Sequence, residues 1–410
     1  MSVSNIKDFF KSGHLPTLIS SFLYFDISFM IWVVVGATST FIVQDFGLSP
    51  VEKGLMVGIP VLGGSLLRIP MGLLADRFGG KRMGVIGMVL TMIPLLWGWL
   101  YGNSFTEVQA FGFLLGIAGA SFAVALPLAS RWYPPKHQGL AMGIAGAGNS
   151  GTVLATLFAP RIAEAFGWHA VFGFALIPLA VALIVFLIFA KDSPAAAKPQ
   201  KLSEYLAIVK VKETWIFSFF YSLSFGGFVG LTSYLGIFFV DQYGVDKVTA
   251  GDFVTLTVFA GSFVRPIGGY IADRLGGMSL LIKLFLLAAV ALDLIGLLPP
   301  VYVALGLFVI AMIIFGIANG ALFQVIPTRF PKEVGIITGF VGAAGGLGGF
   351  FLPNILGTFK EITGSYGFGF WWIGTTYLVA LAMLVWLKKS WKYNKSQVES
   401  EETVLEEKVI

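Results

Sequence analysis

Long apolar stretches separated by short polar segments are the dominant pattern along this chain. A helix that crosses a bilayer needs about 20 mostly apolar residues. Stretches of this length recur twelve times, which predicts an all-α membrane protein of about twelve transmembrane helices. The predicted spans are 17–43, 51–75, 83–101, 107–130, 138–163, 169–190, 213–240, 248–272, 279–298, 301–327, 334–358 and 367–387.

The composition supports a membrane protein. Of the 410 residues, 57% are hydrophobic and only 12% are charged, whereas a soluble domain carries about 25% charged residues. A soluble core cannot absorb this much apolar surface, so lipid is the expected surrounding. The net charge of +5 lies in short loops and forms no stripe, so no nucleic-acid partner is predicted.

The sequence offers little material for catalysis. It has no cysteine and only three histidines, which are scattered, so neither a metal site nor a cofactor is predicted. A membrane enzyme would need a nucleophile, a metal cluster or paired acids at one depth, and a receptor would normally carry a signalling domain. Neither feature is visible, so neither class is favoured. The polar segment 1–10 also predicts no cleavable signal peptide.

The basic residues predict the orientation. If the N-terminus is cytoplasmic, most lysines and arginines fall in inside loops, and only four fall outside. Such an asymmetry places both termini in the cytoplasm, and we expect a multi-pass protein of a bacterial cytoplasmic (inner) membrane. The four outside residues are Lys53, Arg161, Lys247 and Lys360.

The chain also repeats itself. Residues 67–80 and 264–277 share arginine, glycine, Ala-Asp-Arg and Gly-Gly in one register. Two six-helix halves explain this repeat, and parallel repeats of this kind hold a substrate site at their interface near the bilayer midplane. We therefore predict a monomer with a bundle at 1–190, a cytoplasmic linker at 191–212, a second bundle at 213–390 and a cytoplasmic tail at 391–410.

Depth along the helices singles out two arginines. Arg68 and Arg265 each lie eight residues before the Asp of the repeat, which places them roughly 12 Å deep at about 1.5 Å per residue. Buried arginines are costly and must face the protein interior or a water-filled cavity. Together they suit a flat oxyanion, because each guanidinium donates two parallel hydrogen bonds. The alternative is that Asp26, the one clear acid near mid-depth, pairs with one of them.

The stretch 72–82 resembles the loop motif of the major facilitator superfamily, and it lies after the second span, where that family carries it. The second copy of the motif, after the eighth span, also lies where that family carries one. The resemblance implies the two-bundle major facilitator fold. In such a motif a carboxylate at a helix end can pair and hold one face shut, or the motif can be a polar turn that only sets topology. The gating candidates are Gly72, Asp76, Arg77, Asp273 and Arg274.

Two glycine-rich spans resemble the signatures of the nitrate/nitrite porter family within that superfamily. They are residues 143–151 and 339–351. The resemblance implies that Arg68 and Arg265 hold the anion while Asn149 and Tyr221 help to position it. Close helix packing without a ligand is the alternative role for the glycines. The signature glycines are Gly146, Gly148, Gly151, Gly342, Gly345 and Gly346.

Two further residues occupy matching places in the fourth and tenth spans. Phe122 is a candidate wall of the site that would exclude water, and Asn319 is a candidate polar neighbour. Both are predictions from depth alone. Most of the 39 phenylalanines must instead face lipid or pack between helices.

The function that these resemblances imply is secondary active transport of nitrate, and possibly nitrite. Asp26 is the proton-coupling candidate, because burial favours the protonated form of a carboxyl group. The surrounding stretch 25–29 looks more like proton-driven importers of the family. Proton-coupled uptake by alternating access is therefore favoured over nitrate/nitrite exchange, and an organic-anion carrier is a further alternative.

Overall fold

The computed structural model describes residues 8–9, 11–194, 207–329 and 334–407. Within these ranges all regular secondary structure is helical, and twelve helices are long and apolar enough to cross a membrane. We number them as spans 1 to 12. Their bounds are Leu15–Trp32, Pro50–Phe78, Gly80–Leu100, Phe105–Gly119 continued by Phe122–Ser130, Pro135–Gly146 continued by Gly151–Phe166, Trp168–Phe189, Lys212–Tyr243, Lys247–Phe263 continued by Arg265–Leu275, Gly277–Gly296, Val301–Arg329, Val334–Thr363 and Gly367–Glu407.

The predicted all-α membrane architecture is confirmed, and the differences lie at element ends. Span 1, predicted as one helix over 17–43, ends at Trp32 and is followed by the short helices Val34–Ala37 and Ser39–Phe46. Spans 2 and 3 are separated by Gly79 alone, whose φ of 93° makes the sharp turn that glycine adopts readily. The last helix continues to Glu407, beyond the predicted end of the span at 387.

The spans differ in how far they are enclosed by the rest of the protein. In span 6 only a third of the most apolar window is buried, and Ile177, Ile184 and Ile188 are all exposed. In span 7 the corresponding share is 83%. Because span 6 is apolar on its exposed face, it belongs at the lipid boundary, whereas span 7 lies at the centre of the bundle.

Spans 2 and 11, which come from opposite ends of the sequence, pack along each other. The contact is close because glycines lie in it: a Cβ placed on Gly54 would meet the carbonyl oxygen of Pro353 at 2.7 Å. Gly58 meets the side chain of Asn354 in the same way, at 2.8 Å. Small residues therefore allow these two backbones to approach each other.

Charged contacts join the first six spans to the last six at the predicted outer face. Lys53 Nζ of span 2 lies 2.6 Å from Asp241 Oδ2 of span 7. Arg161 of span 5 lies 2.8 Å from Asp252 Oδ1 of span 8. We call these two ion pairs the outer bridges. The division into halves at 1–190 and 213–390 stays a prediction, and most of the predicted linker, residues 195–206, lies outside the described residues.

Candidate functional site

Arg68 is buried in the middle of span 2, with 3% of its surface exposed. Its Nε donates to the carbonyl oxygen of Gly119 at 3.2 Å, and its Nη1 donates to that of Gly342 at 2.5 Å. Its Nη2 is buried and has no hydrogen-bond partner among the described residues. A buried donor without a partner is costly, so this nitrogen marks a place where a ligand oxygen would be stabilising.

A break in span 4 makes the Gly119 carbonyl available. In a continuous helix this oxygen would accept from the amide of Ala123. That amide instead donates to Ala120 at 3.0 Å, because the helix is interrupted at Ala120 and Ser121. Arg68 therefore satisfies a carbonyl that the break leaves free.

Three aromatic rings surround the Arg68 guanidinium. Its Cζ lies 5.2 Å from the ring centroid of Trp32, 5.3 Å from that of Phe122 and 5.2 Å from that of Phe225. Within the described residues Arg68 forms no ion pair with an acid. The rings thus stabilise the cation through their π electrons and leave its charge uncompensated by a carboxylate.

Arg265 is the first residue of the second half of span 8. The helix is interrupted at Val264, and Pro266 follows, which lacks the amide hydrogen that a continuous helix would use. Arg265 Nη2 donates to the hydroxyl oxygen of Tyr221 at 3.3 Å. The guanidinium lies 5.7 Å from the ring of Phe323 and is only partly buried.

Tyr221 and Phe225 connect the two arginines. The Tyr221 ring is fully buried and stacks on Phe225 at 5.1 Å, with 8° between the ring planes. Phe225 also lies 6.0 Å from the Cζ of Arg265, so this one ring faces both guanidiniums. The structure therefore brings together Arg68, Arg265, Tyr221 and Phe122 from the predicted set and adds Trp32 and Phe225.

The two predicted asparagines, Asn149 and Asn319, are buried but form no hydrogen bond with either arginine among the described residues. Asn149 is 4% exposed and sits in the 3-10 turn Ala147–Ser150 that divides span 5. Asn319 in span 10 is 2% exposed. The Oδ1 atoms of both have no partner among the described residues, and no hydrogen bond there joins either asparagine to Arg68 or Arg265.

Asp26 faces span 5 and not an arginine. Its Oδ1 accepts a hydrogen bond from the Ser150 hydroxyl at 2.6 Å. In the described part of the chain it makes no ion pair with Arg68 or Arg265. The alternative in which Asp26 neutralises an arginine therefore finds no support in these contacts.

Most signature glycines occupy close helix contacts. A Cβ on Gly148 would lie 2.6 Å from Phe25 of span 1, and one on Gly346 would lie 2.7 Å from Ser65 of span 2. Gly151 meets the backbone of Asp26, and Gly345 meets the ring of Tyr221. By contrast, Gly146 has only an ordinary contact, with Leu126 at 3.8 Å. Gly342 similarly meets only Phe122, at 3.5 Å, and contributes through its carbonyl oxygen.

The loop-motif residues lie at the other end of span 2. Asp76 is paired with Arg131 at the end of span 4, within the first half. Arg77 is exposed and lies over the ring of Phe78 at 5.3 Å. In the second copy, Asp273 and Arg274 are exposed, and Arg274 lies 4.4 Å from the ring of Tyr270. Gly72 has an ordinary contact with Ala123 at 3.6 Å.

Among the described residues, twelve helices are long and apolar enough to cross a membrane, and Arg68 and Arg265 both lie against the aromatic rings between these helices, an architecture typical of a membrane transporter. The family model described as the Major Facilitator Superfamily matches residues 20–353. Among solved structures, the chain resembles a D-xylose-proton symporter, with a TM-score of 0.74 at 17% identity over 90% of this chain and 97% of that one. It also resembles a bacterial homologue of the lysosomal transporter Spinster in an inward-facing and occupied conformation (TM-score 0.66, 18% identity, 91% and 96% covered).

Curated relatives indicate the family within this superfamily. A nitrite extrusion protein of Bacillus subtilis is 34% identical over 88% of this chain and 91% of its own length. A probable nitrate transporter, NarT, of Staphylococcus epidermidis is 32% identical (89% and 94% covered), and a probable nitrate/nitrite antiporter, NarK1, of Thermus thermophilus is 28% identical (92% and 91%). The chain belongs to the major facilitator superfamily and, within it, to the family of nitrate/nitrite transporters.

Proposed function

We propose that this protein transports nitrate, and nitrite as a second substrate, across a membrane by alternating access. The observation that carries the proposal is the Nη2 of Arg68, a buried donor that has no partner in the described part of the chain. The same part of the chain places a second guanidinium in the site and pairs no carboxylate with either arginine. The choice of nitrate and nitrite as substrates rests on the relatives, which are named for these two anions. Those relatives are transporters, so transport and not catalysis is the activity proposed.

The site favours a small planar monoanion for physical reasons. Arg68 and Arg265 both lie beside the ring of Phe225 and offer donors for separate oxygens of one ligand, while Phe122 and Phe225 provide flat apolar walls. Two guanidiniums stabilise one negative charge more strongly in a buried site than in water. An organic anion is the less favoured substrate, because the relatives are named for nitrate or nitrite.

Proton coupling through Asp26 is the mechanism we propose for uptake. The carboxyl group is buried, accepts a hydrogen bond from Ser150 and has no cation paired with it among the described residues. A buried carboxyl group without a paired cation can be neutralised by binding a proton, and binding and release of that proton is the step that coupling requires. Nitrate/nitrite exchange is the second candidate, and the name of the Thermus thermophilus relative favours it.

The arrangement in the cell follows from the loop charges. We propose that both termini lie in the cytoplasm, that the membrane is a bacterial cytoplasmic membrane and that the protein acts as a monomer. In the proposed cycle the outer bridges hold the outer face shut, and they break when the two halves rock.

The test is transport by purified protein in liposomes. Liposomes loaded with nitrate should accumulate labelled nitrate by counterflow, and a pH gradient that is acidic outside should drive uptake into empty ones. Counterflow without pH-driven uptake would support the exchanger. No flux of either anion, with flux of a carboxylate instead, would replace the proposed substrate.

A further inference from the structure

Trp32 has the most constrained position of the rings around Arg68. It is the last residue of span 1, only 1% of it is exposed, and its indole Nε1 donates to the carbonyl oxygen of Pro60 at 2.7 Å. The apolar surface of the indole is therefore buried, and its one polar atom has a hydrogen-bond partner inside the protein. Because burial and the hydrogen bond both restrict the side chain, the plane of the ring is held in one orientation.

Two glycines fit around this indole from either side. A Cβ on Gly64 of span 2 would lie 2.6 Å from the indole Nε1, and one on Gly119 of span 4 would lie 2.5 Å from the same atom. Any larger residue at either position would push the ring away. The indole thus occupies a slot between the helix that carries Arg68 and the helix whose carbonyl Arg68 binds.

The same ring lies 5.2 Å from the guanidinium carbon of Arg68. Tryptophan gives the strongest cation–π attraction of the three aromatic side chains. A carboxylate in this place would also stabilise the cation, but it would occupy its hydrogen-bond donors and repel an anion. The indole stabilises the charge and leaves the donors free.

We propose that Trp32 is a positioning residue for the anion site, which fixes the plane of the Arg68 guanidinium so that Nη2 stays directed at the substrate. The inference rests on the proposed function and deepens it. Phe122 and Phe225 complete the surroundings of the cation, but neither has a polar atom to anchor its ring. Trp32 alone among the three is fixed by both a hydrogen bond and flanking glycines.

The first experiment measures nitrate transport in Trp32→Leu and Trp32→Phe. Leu should raise KM by about 2- to 12-fold, the cost of ordering a guanidinium that is no longer held in place before the anion binds, with kcat changed less than about twofold. Phe retains an aromatic face and should recover most of the loss. The matched control is Trp168→Leu, since Trp168 is 3% exposed and its indole donates to Asp45 at 2.7 Å, well away from the site; its KM should stay at the wild-type value.

Three results of this experiment would overturn the proposal. The first is a wild-type KM in Trp32→Leu, and the second is an equal loss in the Phe and Leu variants. A fall in kcat alone would assign Trp32 to the helix movement and would likewise contradict the positioning role.

The second experiment needs neither transport nor a large change in volume. Fluorinated tryptophans incorporated at position 32 withdraw π electron density at nearly constant size, and thermal unfolding is then measured in detergent. Tm should fall stepwise with the number of fluorines when Arg68 is present, and should not change in an Arg68→Met background. Equal slopes in the two backgrounds would exclude the contact. If the wild-type protein carried no nitrate, the proposed function would fail while this measurement still decided the contact.

Discussion

The donors of Arg68 are the most specific feature at the scale of single residues. One guanidinium satisfies carbonyl oxygens on spans 4 and 11 and keeps a further nitrogen free. A lysine retains the charge but has one nitrogen, and it cannot reach both carbonyls and a substrate at once. Nitrate transport should therefore require an arginine at position 68, and a positive charge alone should not be enough.

We expect Arg68→Lys to lose most nitrate uptake, by roughly 10- to 100-fold, because the charge-assisted hydrogen bond proposed from Nη2 to the anion is worth about 1.5–3 kcal/mol. Initial uptake rates in liposomes, normalised to folded protein, measure this. Arg82→Lys is the control, since Arg82 is exposed at the predicted cytoplasmic end of span 3 and should keep wild-type rates. Normal uptake by Arg68→Lys would contradict the anion clamp.

Asp26 gives a second prediction at the residue scale. Asp26→Asn keeps the shape and an oxygen that accepts from Ser150 but cannot release a proton. Uptake driven by a pH gradient should be abolished, while exchange of nitrate across the membrane should survive, because neither arginine is paired with Asp26 among the described residues. The readout is exchange per folded molecule, compared with pH-driven accumulation. Undiminished accumulation would favour an exchanger or a proton route through water.

At the scale of elements, glycine decides how closely the helices approach. Gly151 of span 5 meets the Asp26 backbone of span 1, whereas Gly143 in the same span has nothing within 4 Å of an added Cβ. Gly151→Ala should destabilise the protein by about 1–3 kcal/mol, as overpacking does. Gly143→Ala is the matched control and should be neutral or stabilising by up to about 1 kcal/mol. Thermal unfolding in detergent compares them, and equal Tm values would show that spans 1 and 5 do not need this contact.

Interruptions in the helices have a common effect on the site. Span 4 is broken beside Gly119, span 5 at the 3-10 turn that holds Asn149, and span 8 just before Arg265. The breaks in spans 4 and 8 lie next to Phe122 and Arg265 of the candidate site, and the break in span 5 lies beside Asp26, which accepts from Ser150. Broken helices free backbone groups, which are tolerated within a membrane only where protein or water satisfies them. The Gly119 carbonyl bound by Arg68 is the clearest example.

For the whole molecule, the outer bridges should set how readily the outer face opens. Exposed ion pairs are worth only about 0.2–1 kcal/mol each, so removing both should shift the equilibrium by a few-fold. Because the chain has no cysteine, Thr40→Cys provides a single label site that is 8% exposed near that face. Its labelling by an impermeant maleimide should rise in Asp241→Asn/Asp252→Asn. The control is Asp246→Asn, because the Asp246 side chain accepts from the Thr249 amide of its own helix and joins no two halves. Equal labelling in the control and in Asp241→Asn/Asp252→Asn would show that the outer bridges do not hold this face shut.

Orientation is a separate prediction at this scale. Single cysteines replacing Ala195 and Pro300 should react from opposite sides of the membrane, because the loop charges place them on opposite faces. Intact cells treated with an impermeant reagent, before and after permeabilisation, distinguish the sides. Labelling of both from the same side would contradict the predicted topology.

The sequence alone determined the number of spans and their approximate bounds, since hydrophobic length is a local property. It also predicted equal depths for Arg68 and Arg265, because helical rise converts spacing along the chain into distance. The two closely spaced spans predicted at 279–298 and 301–327 are confirmed as separate helices, Gly277–Gly296 and Val301–Arg329, because each is long and apolar enough by itself. The break after Trp32 was missed, since nothing in the apolar pattern of span 1 marks it.

Only the tertiary structure decided what touches the arginines. The partners of Arg68 come from spans 1, 4, 7 and 11, and their meeting depends on which glycines allow which backbones to approach. The sequence displayed the glycines but not the surfaces that they contact, so Trp32 and Phe225 looked like two more apolar residues among many. Asp26 was likewise identified from the sequence, but its hydrogen bond to Ser150, in place of an ion pair with an arginine, depends on how span 1 packs against span 5. Helix formation depends on neighbours in sequence, whereas a binding site depends on the long-range packing of helices, which no local pattern specifies.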